Sequence, residues 1–162
     1  MAQATSTITV QSTAFQNNRQ IPRQHTGDGR NISPALSWSG IPAGAKELAL
    51  IVDDPDAPRP EPWVHWLVYK IPADIKCLRE ELPPAEHVSS PAGALQGKNS
   101  WGGTGYRGPE PPRGHGIHHY HFKVYALDTK LRTPPGADKA TLLAAMEGHV
   151  LAEGELIGTY ER

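Results

Sequence analysis

Short apolar segments, either alternating with polar residues or apolar at every position, recur along the chain and predict a mainly β protein. Five segments rich in β-branched and aromatic residues are predicted strands, at 7–15, 47–53, 63–71, 118–127 and 156–160. The segment 63–71, WVHWLVYKI, is apolar at both odd and even positions apart from Lys70. We therefore expect it in the middle of a sheet that is covered on both faces.

Helical periodicity is clear in one stretch near the end of the chain. Asp138 is a candidate N-cap and Gly154 a candidate stop. Between them, apolar residues recur at helical spacing at Leu142, Leu143, Met146, Val150 and Leu151. A second short helix near 72–82 is a further candidate. No segment of about 20 to 50 residues repeats, which excludes solenoids and propellers.

The composition indicates a β scaffold with elaborate loops. A length of 162 residues predicts a single domain, 1–162. The 16 glycines and 16 prolines indicate much turn and loop structure, and three loops stand out, at 26–38, 53–63 and 101–116. Long, conformationally defined loops on a β scaffold usually carry function.

Charge and cysteine content narrow the partners and the compartment. The chain carries 16 basic and 17 acidic residues, a net charge of -1, which argues against a nucleic-acid partner. Cys77 is the single cysteine, so we exclude an internal disulfide or a four-cysteine metal site and expect a reducing compartment. The longest aliphatic run, 48–52, is too short to span a bilayer. We expect no transmembrane segment and a location in the cytoplasm.

Strand periodicity places three polar side chains on inward faces. In 118–127, His118 and Tyr120 fall on the apolar face, and His119 and His121 on the other. In 63–71, the same alternation groups His65 with Trp63, Leu67, Tyr69 and Ile71. Buried imidazoles need hydrogen-bond partners, and the candidates are the turn aspartates Asp53, Asp54 and Asp56.

The loop 101–116 offers one isolated backbone donor. Between Pro109 and Pro112 only Glu110 retains an N–H, because proline has none. One N–H together with histidine and tyrosine donors suits an anion. Each feature also has a plainer interpretation, namely a hydrogen-bonded core histidine, a rigid surface turn or side-chain-capped turns.

Metal and nucleophile sites have weak support. Four histidines cluster at 115–121, but neighbours along the strand point in opposite directions, and an HExxH helix or a cysteine partner is missing. DDPDAP lacks the glycine and glutamate of a calcium loop, whose positions hold Arg59 and His65. A G-x-S-x-G elbow and a Walker phosphate loop are also missing. We therefore expect no metal and no cofactor.

Three motifs occur along the chain in the order DGRNISPALSW, DDPDAP followed by WVHWLVYKIP, and YRGPEPPRGHGIHHYHFKVYALD. In this order they resemble the phosphatidylethanolamine-binding proteins, most closely their bacterial Raf-kinase-inhibitor-like branch. The resemblance covers roughly 15–127, with a compatible helix and strand after it. It implies a large central antiparallel sheet packed by a smaller sheet and flanked by helices.

The resemblance also implies a pocket for phosphate or a phosphorylated headgroup. Its residues, carried over motif by motif, are Asp54, Pro58, Trp63, His65, Gly108, Glu110, Pro111, Pro112, His118 and Tyr120. Asp54 is expected to orient a histidine. Glu110 stands where the family commonly has a small residue, so we expect its carboxylate to point outward and leave its N–H to the ligand. Cis peptides are expected in at least one of the bonds before Pro55, Pro60, Pro62 and Pro111.

Three functional hypotheses follow from these residues. The first is a binding protein for phosphate or a phosphorylated small molecule, to which the resemblance adds modulation of a protein partner such as a kinase; a homodimer is left open. The alternative is a small hydrolase or isomerase that uses the same His/Asp/Tyr pocket for acid–base catalysis. No nucleophile or metal set stands beside the Asp/His pair, which favours binding. The third is a structural interaction protein whose vestigial pocket binds no anion.

Overall fold

A large and a small β-sheet pack face to face in the computed structural model, which describes residues 6–162. The strands are β1 (Ser6–Thr7), β2 (Thr9–Gln11), β3 (Arg19–Gln20), β4 (Leu36–Ser39), β5 (Glu47–Asp54), β6 (Trp63–Pro72), β7 (Cys77–Leu78), β8 (Leu95–Gln96), β9 (His118–Leu127) and β10 (Val150–Tyr160). A 3-10 helix at Arg23–His25 and one α-helix, α1 (Lys139–Met146), complete the regular elements of this range. None of its helices is long and apolar enough to cross a membrane.

The large sheet is antiparallel through its centre. Its strand order is β1-β10-β9-β5-β6-β8, and every pair from β10 to β8 is antiparallel. The short strands β1 and β3 both pair parallel with β10. The small sheet has the order β2-β4-β7 and is antiparallel. The predicted fold, mainly β with a large sheet packed by a smaller one, is confirmed, with α1 as its flanking α-helix within 6–162.

Apolar side chains fill both faces of the large sheet. On one face, Trp38 of β4 joins Trp66 and Phe122 in the core between the sheets. On the other face, Leu142 and Met146 of α1 belong to a second core. Strands β5 and β6 are therefore buried on both sides, which explains their continuous apolar sequence. Strand β6 lies between β5 and the short β8.

Two irregularities in β6 change the faces that strict alternation predicts. A register shift leaves His65 as an extra residue opposite β5, and Lys70, whose φ is 54°, lies in a second shift. An extra residue in one strand reverses the alternation beyond it. Leu67 and Tyr69 therefore pack on the α1 side, whereas Ile71 packs between the sheets. The prediction that Leu67 and Tyr69 share one face with His65 is wrong, because His65 packs against Tyr120 of the core between the sheets.

The helix near the end of the chain begins as predicted and ends earlier. The Asp138 carboxylate accepts a hydrogen bond from the Thr141 N–H at 2.9 Å, which is an N-cap. The helix ends at Met146, and Gly148 follows with φ of 81°. The predicted stop at Gly154 is wrong, because that residue lies inside β10, which begins six residues before the strand predicted at 156–160. The segment 72–82 forms turns and β7 instead of a second helix, because its backbone pairs with β4.

Candidate functional site

Three strand ends meet at one edge of the large sheet. Strand β5 ends at Asp54, and β6 and β9 begin at Trp63 and His118. Because β5 runs antiparallel to both neighbours, its last residues lie beside their first ones. A pocket of about 200 Å³ opens at this edge. It is smaller than the roughly 300–1,000 Å³ of sites for drug-sized ligands, so its size suits a small chemical group.

The structure brings nearly all of the predicted binding residues to this pocket. Those that line it are Asp54, Pro58, Trp63, His65, Glu110, Pro111, Pro112, His118 and Tyr120. Gly108 does not line it. Three lining residues were missed, namely Ala57, Arg59 and Trp101. The available signals were a lone cation between two prolines for Arg59 and an aromatic residue at the start of the Gly/Pro-rich loop for Trp101.

Asp54 fixes the orientation of the His118 ring. His118 Nδ1 donates a hydrogen bond to Asp54 Oδ2 at 2.6 Å, and the two residues are only 1% and 3% exposed. The second oxygen of Asp54 accepts the N–H of Asp56 at 2.8 Å. A carboxylate acts only as an acceptor, so the proton of His118 Nδ1 is directed to Asp54 and Nε2 is left for other partners.

The neighbouring aspartates have other partners. Asp53 is buried and accepts a hydrogen bond from Lys139 Nζ at 2.8 Å. Asp56 binds the backbone N–H and the ring of His119, both at 2.8 Å. Of the three candidate partners for an inward histidine, Asp54 is therefore the one that bonds His118.

His65 presents a hydrogen-bond acceptor to the pocket. Its Nδ1 lies 2.6 Å from the carbonyl oxygen of Arg107, and since a carbonyl only accepts, Nδ1 carries the proton of the neutral ring. Burial lowers the pKa of His65 from 6.5 to about 4. At neutral pH the other nitrogen, Nε2, is therefore an unprotonated acceptor. The expected histidine donor at this position is replaced by an acceptor.

The buried Tyr120 side chain brings its hydroxyl to the pocket as a donor. The residue is 1% exposed, and its ring packs edge-on against His65 with centroids 5.1 Å apart. Burial raises the pKa of the Tyr120 phenol far above its ordinary value of 10, so the hydroxyl keeps its proton. No hydrogen bond joins this hydroxyl to another group of residues 6–162. The hydroxyl is therefore available to donate a hydrogen bond to a ligand in the pocket.

The loop 26–38 holds the loop 101–116 in place. Asn31 Oδ1 accepts the N–H of Gly108 at 2.7 Å, and the carbonyl of Pro109 accepts the N–H of Gly27 at 2.8 Å. A Cβ atom on Gly108 would lie 2.1 Å from the carbonyl oxygen of His25. Gly108 therefore permits a close contact between the loops and positions the pocket wall without lining it.

The Glu110 side chain packs against the same neighbouring loop. A Cβ atom added to Gly27 would lie only 2.5 Å from Glu110 Oε1. The side chain is exposed. In the part of the chain that the structure describes, the Glu110 N–H makes no hydrogen bond. The arrangement leaves a backbone donor at the pocket beside the two prolines, Pro111 and Pro112.

Two arginine–tryptophan pairs add positive charge around the pocket. The Arg59 guanidinium lies 5.0 Å from the ring centroid of Trp63, and that of Arg107 lies 4.5 Å from Trp101. These distances are typical of cation–π contacts. The two indole rings pack edge to face at 5.5 Å. The aromatic wall therefore holds cations near the pocket, which favours an anionic ligand.

The expectation of cis peptides has a clear outcome. Ser90–Pro91 is the cis peptide found within 6–162, so the bonds before Pro55, Pro60, Pro62 and Pro111 are trans and that prediction is wrong. Among the described residues, no group of three or more His, Cys, Asp or Glu side chains could hold a metal ion.

Comparisons with known proteins agree over nearly the whole chain. The model of the family described as phosphatidylethanolamine-binding protein matches residues 11–161. A UPF0098 protein of Methanothermobacter thermautotrophicus is 51% identical over 155 residues, which cover 96% of this chain and 99% of that protein. Its function is not indicated by its description.

Two crystal structures have the same fold at substantial identity. A phosphatidylethanolamine-binding protein homologue of Chlamydia trachomatis aligns with a TM-score of 0.86 and 40% identity, covering 98% of this chain and 99% of that one. YbcL of Escherichia coli, described as a new member of the mammalian PEBP family, aligns with a TM-score of 0.89 and 35% identity, covering 97% and 99%.

Proposed function

This chain belongs to the phosphatidylethanolamine-binding protein family, as its motifs predicted, and we propose that it binds a phosphate-type anion or a phosphorylated headgroup in the pocket at the edge of the large sheet. Its similarity to family members from bacteria agrees with the bacterial branch that the motifs predicted. The observation that carries the proposal is the Tyr120 hydroxyl, which belongs to a residue lining the pocket, keeps its proton and makes no hydrogen bond to another group of residues 6–162.

The groups around the pocket match a phosphate that retains one proton. Tyr120 and the Glu110 N–H supply donors for the charged oxygens, and Arg59 adds positive charge at the wall. His65 Nε2 supplies an acceptor, which can pair with a P–O–H group but not with a bare oxygen. The ligand that fits all of these groups is a monoprotonated phosphate, either free or as a monoester.

Phosphate is expected to bind more tightly than sulfate, by about tenfold, because sulfate has no proton for His65 Nε2 and would leave a lone pair against an oxygen. Inorganic phosphate keeps a proton from pH 8 to pH 6, so its advantage over sulfate should persist across this range. For a phosphomonoester such as phosphoethanolamine the ratio to sulfate should rise from pH 8 to pH 6, since a monoester with a second pKa near 6 gains its proton in this range. His65, whose pKa is lowered to about 4, stays neutral throughout.

Isothermal titration calorimetry with phosphate, phosphoethanolamine and sulfate at each pH measures these ratios directly. Equal affinities for phosphate and sulfate would contradict the role given to His65. No heat and no thermal stabilisation with either ion, with phosphoethanolamine or with nucleotides would contradict the proposed function itself and favour a structural protein with a vestigial pocket.

The substitution Tyr120→Phe tests the hydroxyl that carries the proposal. We expect phosphate affinity to fall by about tenfold or more, because the variant loses one hydrogen bond to a charged group. Tyr125→Phe is the matched control, since it makes the same chemical change on the same strand at a half-buried position of the opposite face. Equal losses in the two variants would show that the ligand does not contact Tyr120.

Acid–base catalysis remains the second candidate. The observation in its favour is the 2.6 Å hydrogen bond from His118 to Asp54, which leaves Nε2 as a potential base. Turnover of a phosphomonoester during the titrations, measured as released phosphate, would support it. A protein partner such as a kinase, a homodimer, a location in the cytoplasm and a single domain stay predictions from the sequence.

A further inference from the structure

His115 occupies the free nitrogen of His118. His115 Nδ1 lies 2.6 Å from His118 Nε2, and the two ring centroids are 4.8 Å apart. His118 is 1% exposed, whereas the His115 side chain is exposed. The pocket histidine is therefore hydrogen-bonded on both nitrogens, by Asp54 on one side and by His115 on the other.

An imidazole nitrogen has one hydrogen-bonding direction. It lies in the plane of the ring and holds either a proton or a lone pair. Since His118 Nδ1 is committed to Asp54, Nε2 is the only ring position from which His118 can donate to an anion, and it donates when the ring carries a proton on both nitrogens. His115 lies on that direction at 2.6 Å. A ligand oxygen and the His115 ring cannot both occupy it.

Two glycines flank His115 and leave open space around its segment. Gly114 and Gly116 flank it with φ of 75° and 95°, a region that glycine enters without strain. A Cβ on either glycine would meet no atom within 4 Å, so the segment has open space around it. The His115 N–H donates a hydrogen bond to the Pro112 carbonyl at 3.2 Å. The Gly114 N–H donates one to the Arg162 carbonyl at 3.1 Å.

We propose that His115 is an intramolecular competitor of the anion at His118. In the empty pocket it satisfies Nε2, and a bound phosphate displaces its ring and accepts a hydrogen bond from the Nε2–H of the doubly protonated His118 in its place. His115 then lowers the affinity of the pocket for anions. It restricts binding to ligands whose hydrogen bond to His118 is stronger than that of His115. The inference rests on the proposed function, because it requires an anion at His118.

Phosphate titrations of His115→Ala test the competition. We expect about fivefold tighter binding than in the unaltered protein, the factor that corresponds to one net hydrogen bond no longer being broken. His115→Phe keeps a ring of similar size without a hydrogen-bonding nitrogen and should also bind more tightly. His119→Ala removes the outward-facing histidine of β9 next to His118 and should match the unaltered protein.

The outcomes separate the two proposals. Unchanged or weaker phosphate binding in both His115 variants, with normal binding in the unaltered protein, would overturn the competition and leave the proposed function intact. Absence of phosphate binding in every variant would overturn the proposed function and the competition with it.

The ring nitrogens report the displacement directly. In long-range ¹H–¹⁵N spectra of the unaltered protein, His115 Nδ1 should shift to the values of a solvent-exposed histidine as phosphate saturates the pocket. A His115 signal that does not move at saturation would overturn the proposal whatever the affinities of the variants.

Discussion

The variant His118→Asn should lose phosphate binding and keep the fold. The asparagine amide N–H can replace Nδ1 as the donor to Asp54, which is 3% exposed and needs a partner. Asparagine has no counterpart of Nε2, so the donor that we assign to the anion is removed. Phosphate should no longer raise the melting temperature, whereas the melting temperature without phosphate should fall only slightly.

His118→Ala provides the contrast that identifies the Asp54 bond. Alanine leaves the Asp54 carboxylate buried without its histidine, and breaking such a pair typically costs about 3–5 kcal/mol. We therefore expect this variant to lose both phosphate binding and stability. His119→Asn, which replaces an exposed histidine bonded to Asp56, is the control and should keep the phosphate response. Equal losses of the phosphate response at 118 and 119 would contradict the site.

Gly108→Ala is expected to destabilise the protein by about 3 kcal/mol, an upper value for overpacking. The added Cβ would lie 2.1 Å from the backbone oxygen of His25 and 2.9 Å from Asn31 Oδ1. Since backbone cannot rotate away as a side chain can, the loops 26–38 and 101–116 must separate. Their separation moves Glu110 and its N–H, so phosphate affinity should fall together with stability.

Gly103→Ala makes the same chemical change in the same loop without a clash. Its Cβ would lie 3.7 Å from the nearest atom, on Asn99, which is ordinary van der Waals contact. Urea unfolding of the two variants should show a loss at 108 and little change at 103. Similar free energies of unfolding for both would mean that the contact between the two loops does not hold the pocket wall.

Local patterns predicted the strands and the inward side chains where the sheet is regular. Strand β9 keeps an unbroken register with β5 from 121 to 127, so the buried and exposed residues alternate as its sequence indicates. The same rule failed in β6, because the extra residue at His65 and the turn of backbone at Lys70 depend on pairing with β5. Alternation describes a strand, whereas a bulge is a property of two strands.

The sequence by itself determined the family, the two-sheet architecture and most of the residues that line the pocket, since these depend on short motifs and on the spacing of apolar side chains. Tertiary structure alone decided which aspartate binds His118, that His65 offers an acceptor, and that His115 covers the remaining nitrogen. The position of a proton on an imidazole depends on the groups that the ring nitrogens bond. For His65 this group is the Arg107 carbonyl, 42 positions away in the chain, and for His118 it is the Asp54 carboxylate, 64 positions away. Such partners become neighbours only when the strands and loops have packed.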